Sequence, residues 1–239
     1  MVRQMNELQN LPTETLQEML MAGHQAQAAT HALTKSGLNL VGECLKGQGE
    51  FYQFSHYPAD DVFDADSHSQ YYFHTHRGVN GEYGHFHTFL RPSGMPDSVS
   101  PVEYDGDEPW PTGNDALSHL ICISMDQQGF PIGLFTTNRW VTAEAWYSAE
   151  DVVKMLGHFQ VDHAFPNLAV NLWITAMFRL YRFEMAELLL CRDKAVQVWA
   201  EEHPDRDVFE DRELEVTSSQ MIDVDSKVEE IRSELQRRG

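Results

Sequence analysis

Two short runs, His74-Thr75-His76 and His85-Phe86-His87, bring four imidazoles close together in the chain. On a β-strand successive side chains alternate faces, so each His-x-His run presents both rings to one side. Between the runs stands Val79-Asn80-Gly81. Asn-Gly flanked by strand-like segments predicts a hairpin, because a type I′ turn needs positive φ at both central residues. With Asn80 and Gly81 as the loop residues, His76 opposes His85 and His74 opposes His87. Directly opposed residues of an antiparallel pair point the same way, so all four rings converge. Tyr72 opposite Phe89 closes one end of the patch, and Gly78 opposite Tyr83 the other. Glu82 falls on the other face. A three-residue loop with a bulge would instead separate the two histidine pairs.

Such a patch suits a metal. Histidine nitrogens hold Zn²⁺ at about 2.0–2.1 Å, and two or three rings at strand spacing reach one ion. The expected cofactor is one divalent transition metal ion (Zn, Fe, Cu, Ni or Mn) on His74, His76, His85 and His87. Ligand type does not choose among these ions. With no thiolate in the segment, a site open to solvent is expected. Two other readings stay open: a metal-free catalytic or anion site, and histidines that are only structural. His119 shares strand parity with Ile121 and Ile123 and reads as a core-edge residue before a fifth ligand, though a neighbouring strand could bring it to the site. Cys122, between the same isoleucines, reads as a small buried hydrophobe. A carboxylate ligand, if one is needed, would come from Asp64, Asp66 or Glu144.

Substrate-binding candidates are Arg179, Arg182, Tyr72 and Tyr83. Asn171, Thr175, Arg179 and Arg182 make a polar stripe on an otherwise apolar helical run, and an arginine there either pairs with an acid or holds an anion over the histidines. Asn138-Arg139-Trp140 either lines a pocket or packs against a following helix. The chain has no G-x-S-x-G, no glycine-rich phosphate loop and no H-E-x-x-H.

The elements that must position these residues segregate along the chain, which predicts an α+β fold. It is read as a small antiparallel β-sheet with an Asn-Gly hairpin, covered by N-terminal and C-terminal helices. A helix over 13–35 starts at Thr13 as N-cap and is stopped by Gly37. Residues 50–142 are β-rich, with strands at 50–54, 70–78, 82–90, 117–125 and 130–137. An acidic loop fills 58–69. The proline-rich stretch 92–115, carrying Tyr104 and Trp110, reads as an ordered lid. Residues 148–203 are helical: Ser148 and Asp151 resemble a capping box, and Pro166 suits the first position of a helix. Residues 1–205 form a single domain in this reading. Residues 206–239 are a linker and an amphipathic helix, whose stripe Met221, Val224, Val228, Ile231, Leu235 docks on the body or on a second copy, giving a homodimer.

The 239 residues carry a formal net charge of −20, which argues against nucleic acid and anionic membranes as partners and leaves a small-molecule ligand. Cys44, Cys122 and Cys191 are few and far apart, as expected of reduced thiols in the cytoplasm. The N-terminal residues lack the apolar core of a signal peptide. The apolar run 168–190 contains Arg179, Arg182, Glu184 and Glu187, too polar for a membrane span.

Gly84-His85-Phe86-His87-Thr88-Phe89 resembles the strand motif of histidine-triad nucleotide hydrolases, with Phe89 where that motif has its third histidine. The paired strand histidines also resemble the metal site of cupins, without the cupin glutamate and glycine spacing. Tyr72-Phe73-His74-Thr75-His76-Arg77 together with Gly84-His85-Phe86-His87 is similar to an uncharacterised bacterial family of unknown function, a likeness that covers most of the chain and implies no activity. The resulting expectation is a metal-binding protein and a metal-dependent enzyme of hydrolase or oxygenase type. A non-enzymatic metal- or ligand-binding accessory protein, or a metal-free interaction protein, stands as the alternative.

Overall fold

Helix α1 (Thr13–Thr34) forms where Leu16, Met19, Ala22, Ala26 and Leu33 recur at helical spacing, and all five are buried. Pro12, with φ −57° and ψ 148°, takes the N-cap position, so Thr13 is already helical and makes no side-chain cap. Helix α2 (Leu40–Leu45) is capped by Asn39, whose side chain accepts from Gly42 N at 2.7 Å. The computed structural model describes residues 8–78, 81–106 and 108–239.

Six strands follow: β1 (Tyr57–Phe63), β2 (Ser69–His74), β3 (Gly84–Leu90), β4 (Ser118–Met125), β5 (Pro131–Thr137) and, far later, β6 (Val216–Met221). They make one antiparallel sheet in chain order, and the fold is α+β as its segregated elements predict. Residues 50–54 are not a strand. Part of the expected acidic loop is β1 instead. The acids are tolerated there because β1 is an edge strand: Asp60 is exposed while Val62 is buried.

Between β5 and β6 lie α3 (Arg139–Thr142), α4 (Ala149–Leu156), α5 (Leu168–Leu180) and α6 (Arg182–Glu202). Ser148 caps α4 by accepting from Asp151 N at 3.2 Å, as its capping-box pattern predicts. α5 starts at Leu168, two residues after Pro166, and Asn167 caps it, accepting from Ala169 N at 2.8 Å. Tyr181, at φ −106° and ψ 21°, leaves helical geometry and divides α5 from α6. Residues 206–239 supply β6 and α7 (Val224–Arg238). Val228 and Ile231 of α7 are buried where it lies along α1, so this part of the stripe docks on the body, while Met221 belongs to β6 and is exposed. Gly23 permits this approach: a Cβ there would lie 2.4 Å from Val228 Cγ2. Among the described residues no helix is long and apolar enough to cross a membrane.

Tyr71, Phe73, Phe86, Ile121 and Ile123 form one face of the sheet, against which Trp173 of α5 packs, 5.7 Å from the Phe86 ring. The Tyr71 hydroxyl donates to Asn171 Oδ1 at 2.5 Å. The opposite face is buried as well, since every residue of β2, β3 and β4 is buried. That second face holds the histidines.

The observed register pairs His74 with His85, Tyr72 with His87 and Gln70 with Phe89. This corrects the expected pairing by two residues. Because the shift is even, the side-chain faces are kept and the histidines still converge. His76 lies beyond the end of β2 and has no ladder partner in β3. Just before β3, Tyr83 N donates to Met125 O at 2.8 Å, on the β4 side. Gly84 is required at the crossing, since a Cβ on it would come within 2.5 Å of both His74 O and the Phe73 ring. The turn residues Val79 and Asn80 lie outside the described residues.

A β-bulge shapes β4. His87 pairs with Cys122, but Phe89 pairs with His119, so Leu120 and Ile121 together oppose Thr88. The extra residue reverses side-chain parity, and His119 turns to the face of Cys122 and the histidines. This overturns its expected grouping with Ile121 and Ile123. Thr88 Oγ1 holds the bulge, donating to Ile121 O at 2.6 Å and accepting from Ile121 N at 3.2 Å. Thr88→Val removes both bonds inside a dry core, and urea unfolding is expected to show a loss of about 1–3 kcal/mol.

Candidate metal centre

Strands β2 and β3 aim His74, His85 and His87 at one point. His74 Nε2 lies 2.8 Å from His85 Nε2 and 3.1 Å from His87 Nε2. The three residues are buried, His87 completely. Two nitrogens held at 2.0–2.1 Å on tetrahedral vertices of one ion lie about 3.3 Å apart. The cluster therefore accepts an ion by opening a few tenths of an ångström.

The protonation states favour this. Burial first, and then the neighbouring imidazoles, push His74 down to about 2. Burial holds His87 well below the ordinary histidine value, and lowers His85 despite the opposing pull of Glu82. The rings are thus neutral near pH 7. Glu82 is buried, which alone would raise its carboxyl. Its hydrogen bond with His85, aided by Ser124 and Arg77, outweighs burial and keeps it ionised. Glu82 Oε1 then accepts the His85 Nδ1 proton at 2.8 Å, and Oε2 accepts from Ser124 Oγ at 2.6 Å. With Nδ1 protonated, His85 presents a lone pair at Nε2. Facing nitrogens this close share at most one proton per contact, so at least two lone pairs meet at the centre.

The placement of Glu82 corrects the expectation that it faces away. It precedes β3, so strand parity does not govern it. A carboxylate behind a ligating histidine fixes the ring and its tautomer. Glu82→Gln is expected to weaken metal binding about 10- to 100-fold without unfolding the protein, as measured by competition against a chelator.

A second group touches the first. His87 Nδ1 lies 3.1 Å from His119 Nε2 and 3.2 Å from Cys122 Sγ, and those two are 3.3 Å apart. His119 is pushed down to about 3, by burial and then by Arg192. Burial raises the Cys122 thiol well above its usual value. The sequence reads Cys122 as a hydrophobe and leaves His119 only as an alternative ligand, because a bulge leaves no mark in residue type.

Around the cluster, Tyr72 stacks on His56 at 3.5 Å and lies 5.1 Å from the His87 ring. The His76 ring is 4.9 Å from that of His74 and 5.1 Å from that of His85, and it stacks on Phe54 at the mouth. Arg77 covers Phe135 at 4.1 Å. Its Nη1, 3.8 Å from Glu82 Oε2, is buried without a hydrogen-bond partner among the described residues. Tyr83 packs with Phe73, on the helix-covered face.

Other candidates lie elsewhere. Arg179 and Arg182 are exposed and line a groove of about 850 Å³ with Phe178 and Phe183. Arg179 Nη2 donates to Gln160 Oε1 at 3.3 Å, and Arg182 pairs with Glu18 at 4.0 Å. The structure does not bring them to the histidines. Asp64 closes its own turn, Oδ1 accepting from Asp66 N at 3.0 Å and Ser67 N at 2.9 Å. Glu144 accepts the His119 backbone N–H, and burial raises its carboxyl to about 8. Arg139 pairs with Glu210, and Trp140 Nε1 donates to Leu214 O at 2.9 Å. Tyr104 stacks on Trp110 at 4.0 Å and bonds to Asp207, so the expected lid docks on the segment after α6.

Fold and site together define an α+β protein with buried histidine and cysteine groups whose geometry could hold a metal ion. The chain belongs to the family described as Domain of unknown function (DUF6969), whose model matches residues 20–222. That span contains all six strands and every residue of the two clusters. No curated protein and no solved structure matches the chain.

Proposed function

We propose that the chain is a metal-dependent enzyme of hydrolase or oxygenase type, built on a divalent transition metal ion held by His74, His85 and His87. The observation that carries this reading is the convergence of three buried, neutral imidazoles through Nε2, with Glu82 orienting one of them. Four packed rings that titrated freely would repel on protonation, whereas a cation uses their neutral form. His76, stacked on Phe54, stands beside the three converging nitrogens and not among them. With its ring stacked aside, the ion keeps a position for substrate, which a catalytic site needs and a closed structural site lacks. The bound cation would supply Lewis-acid or redox chemistry. Tyr72 and Arg77 are the residues placed to contact a ligand there, and Arg77 suits an anionic group.

Metal analysis of untagged protein tests the reading. At least one equivalent of divalent metal is expected, falling by one equivalent in His74→Ala/His85→Ala. Protein that stays folded yet takes up none of Zn²⁺, Fe²⁺, Cu²⁺, Ni²⁺ or Mn²⁺ overturns it. The complete burial of His87 favours, as the second reading, a binding protein without turnover. An exogenous anion such as azide decides between them on the Co²⁺-substituted protein: a changed visible spectrum shows an open position, an unchanged one a closed site.

A further inference from the structure

We propose a second metal position on Nδ1 of His87, Nε2 of His119 and Sγ of Cys122, joined to the first through the His87 ring. It shares His87 with the site proposed above and in that respect rests on it. The three atoms form a triangle with sides of 3.1, 3.2 and 3.3 Å. On a tetrahedral ion with N at about 2.0–2.1 Å and S at about 2.3 Å, the corresponding sides are about 3.3–3.6 Å. The triangle is therefore one face of a coordination tetrahedron, slightly contracted.

The two clusters use different nitrogens of one ring. Nε2 of His87 faces His74, and Nδ1 faces His119 and Cys122. A single imidazole ligates both ions once it has given up its remaining proton. Binding of the second ion accordingly releases two protons, one from the Cys122 thiol and one from His87, and involves no oxidation or reduction. The donor set of one thiolate and two imidazoles selects a borderline or soft ion, zinc or cuprous copper, over magnesium or calcium.

The bulge in β4 argues against a merely orienting role for this pair. Holding His87 in one tautomer requires a single acceptor, and Cys122, directly opposite His87 in the ladder, already stands there. A regular β4 would turn His119 to the other face. The extra residue at Leu120–Ile121, clamped by Thr88, brings His119 to the same point as Cys122, and re-aiming side chains at sites is what bulges do.

Titration of the metal-free protein with Co²⁺ tests the proposal, read by stoichiometry and by thiolate-to-cobalt charge-transfer absorption. The full chain is expected to take two equivalents and show the thiolate band. Cys122→Ser and His119→Gln should each keep one equivalent, and Cys122→Ser should lose the band entirely. His74→Ala should keep one equivalent with the band intact. Circular dichroism on each variant confirms that it is folded, and the two substitutions at separate positions guard against one failing to fold. A native protein that stops at one equivalent without the band overturns the second position and leaves the first standing. One equivalent with the band, unaffected by His74→Ala, overturns the first and leaves only the thiolate site.

Discussion

Between pH 6.5 and about 4.5 the metal-free protein is expected to lose stability on acidification, by at least about 1.4 kcal/mol for each unit. Five histidines set the sign. His74, His76, His85, His87 and His119 are all held below the ordinary value of 6.5, chiefly by burial. Below that pH the unfolded chain binds a proton at each, while the folded chain does not until about pH 3 at His119 and about pH 2 at His74. Where the unfolded state binds more protons, stability rises with pH, by about 1.4 kcal/mol per unit for each group. Glu144 opposes one of them: raised to about 8, it stays protonated when folded, so its contribution is lost as pH rises from 4.5 to 8. His74 and His119 against Glu144 leave one group net, and the lowered His76, His85 and His87 act in the same direction as those two. Urea unfolding at pH 5, 6 and 7 in the presence of a chelator measures the slope. A stability that is flat over this range would mean that the histidines protonate in the folded state. Bound metal should steepen the fall, because protons then compete for the same lone pairs.

How much of this was legible in sequence depends on whether a feature lives in parity or in a break of parity. The two His-x-His runs specify their face by alternation alone, and a register error of two residues leaves that face unchanged. Ser148, as a local capping signal, was readable for the same reason: its hydrogen bond spans three residues of chain. His119 and Cys122 were not readable, because the bulge that unites them is held by Thr88 from a neighbouring strand. Glu82 was missed because it lies just before β3, where alternation has no authority. The strand β6 follows a long helical region and carries Ser218, Ser219 and Gln220, weak strand formers by themselves. It is a strand because β5 offers it an unpaired edge and Thr136 bonds to Thr217 at 2.7 Å. The division of the helical run at Tyr181 likewise has no proline or glycine to announce it.

Replacing His87 by Ala is expected to remove both ions at once, a larger effect than any other single substitution in the site. Zinc binding to four-ligand peptide sites is worth about 10–16 kcal/mol, so one ligand corresponds to about 2.5–4 kcal/mol, or about 100- to 1000-fold in affinity. In the two proposed sites His87 serves as one ligand each, through Nε2 toward His74 and through Nδ1 toward His119 and Cys122. Its loss therefore weakens each position by that factor, and neither should retain metal through dialysis at micromolar concentration. His76→Ala provides the contrast. Its ring rests on Phe54, outside the three converging nitrogens, so this variant should keep its metal with an affinity lowered by about tenfold. His87→Ala should also flatten the acid dependence of the metal-free protein by about 1.4 kcal/mol per pH unit, since one buried neutral histidine is gone. That second readout needs no metal. If His87→Ala lost metal but left the acid slope unchanged, His87 would be a ligand that titrates normally in the folded chain. If it kept both ions, the two clusters would not meet at this ring.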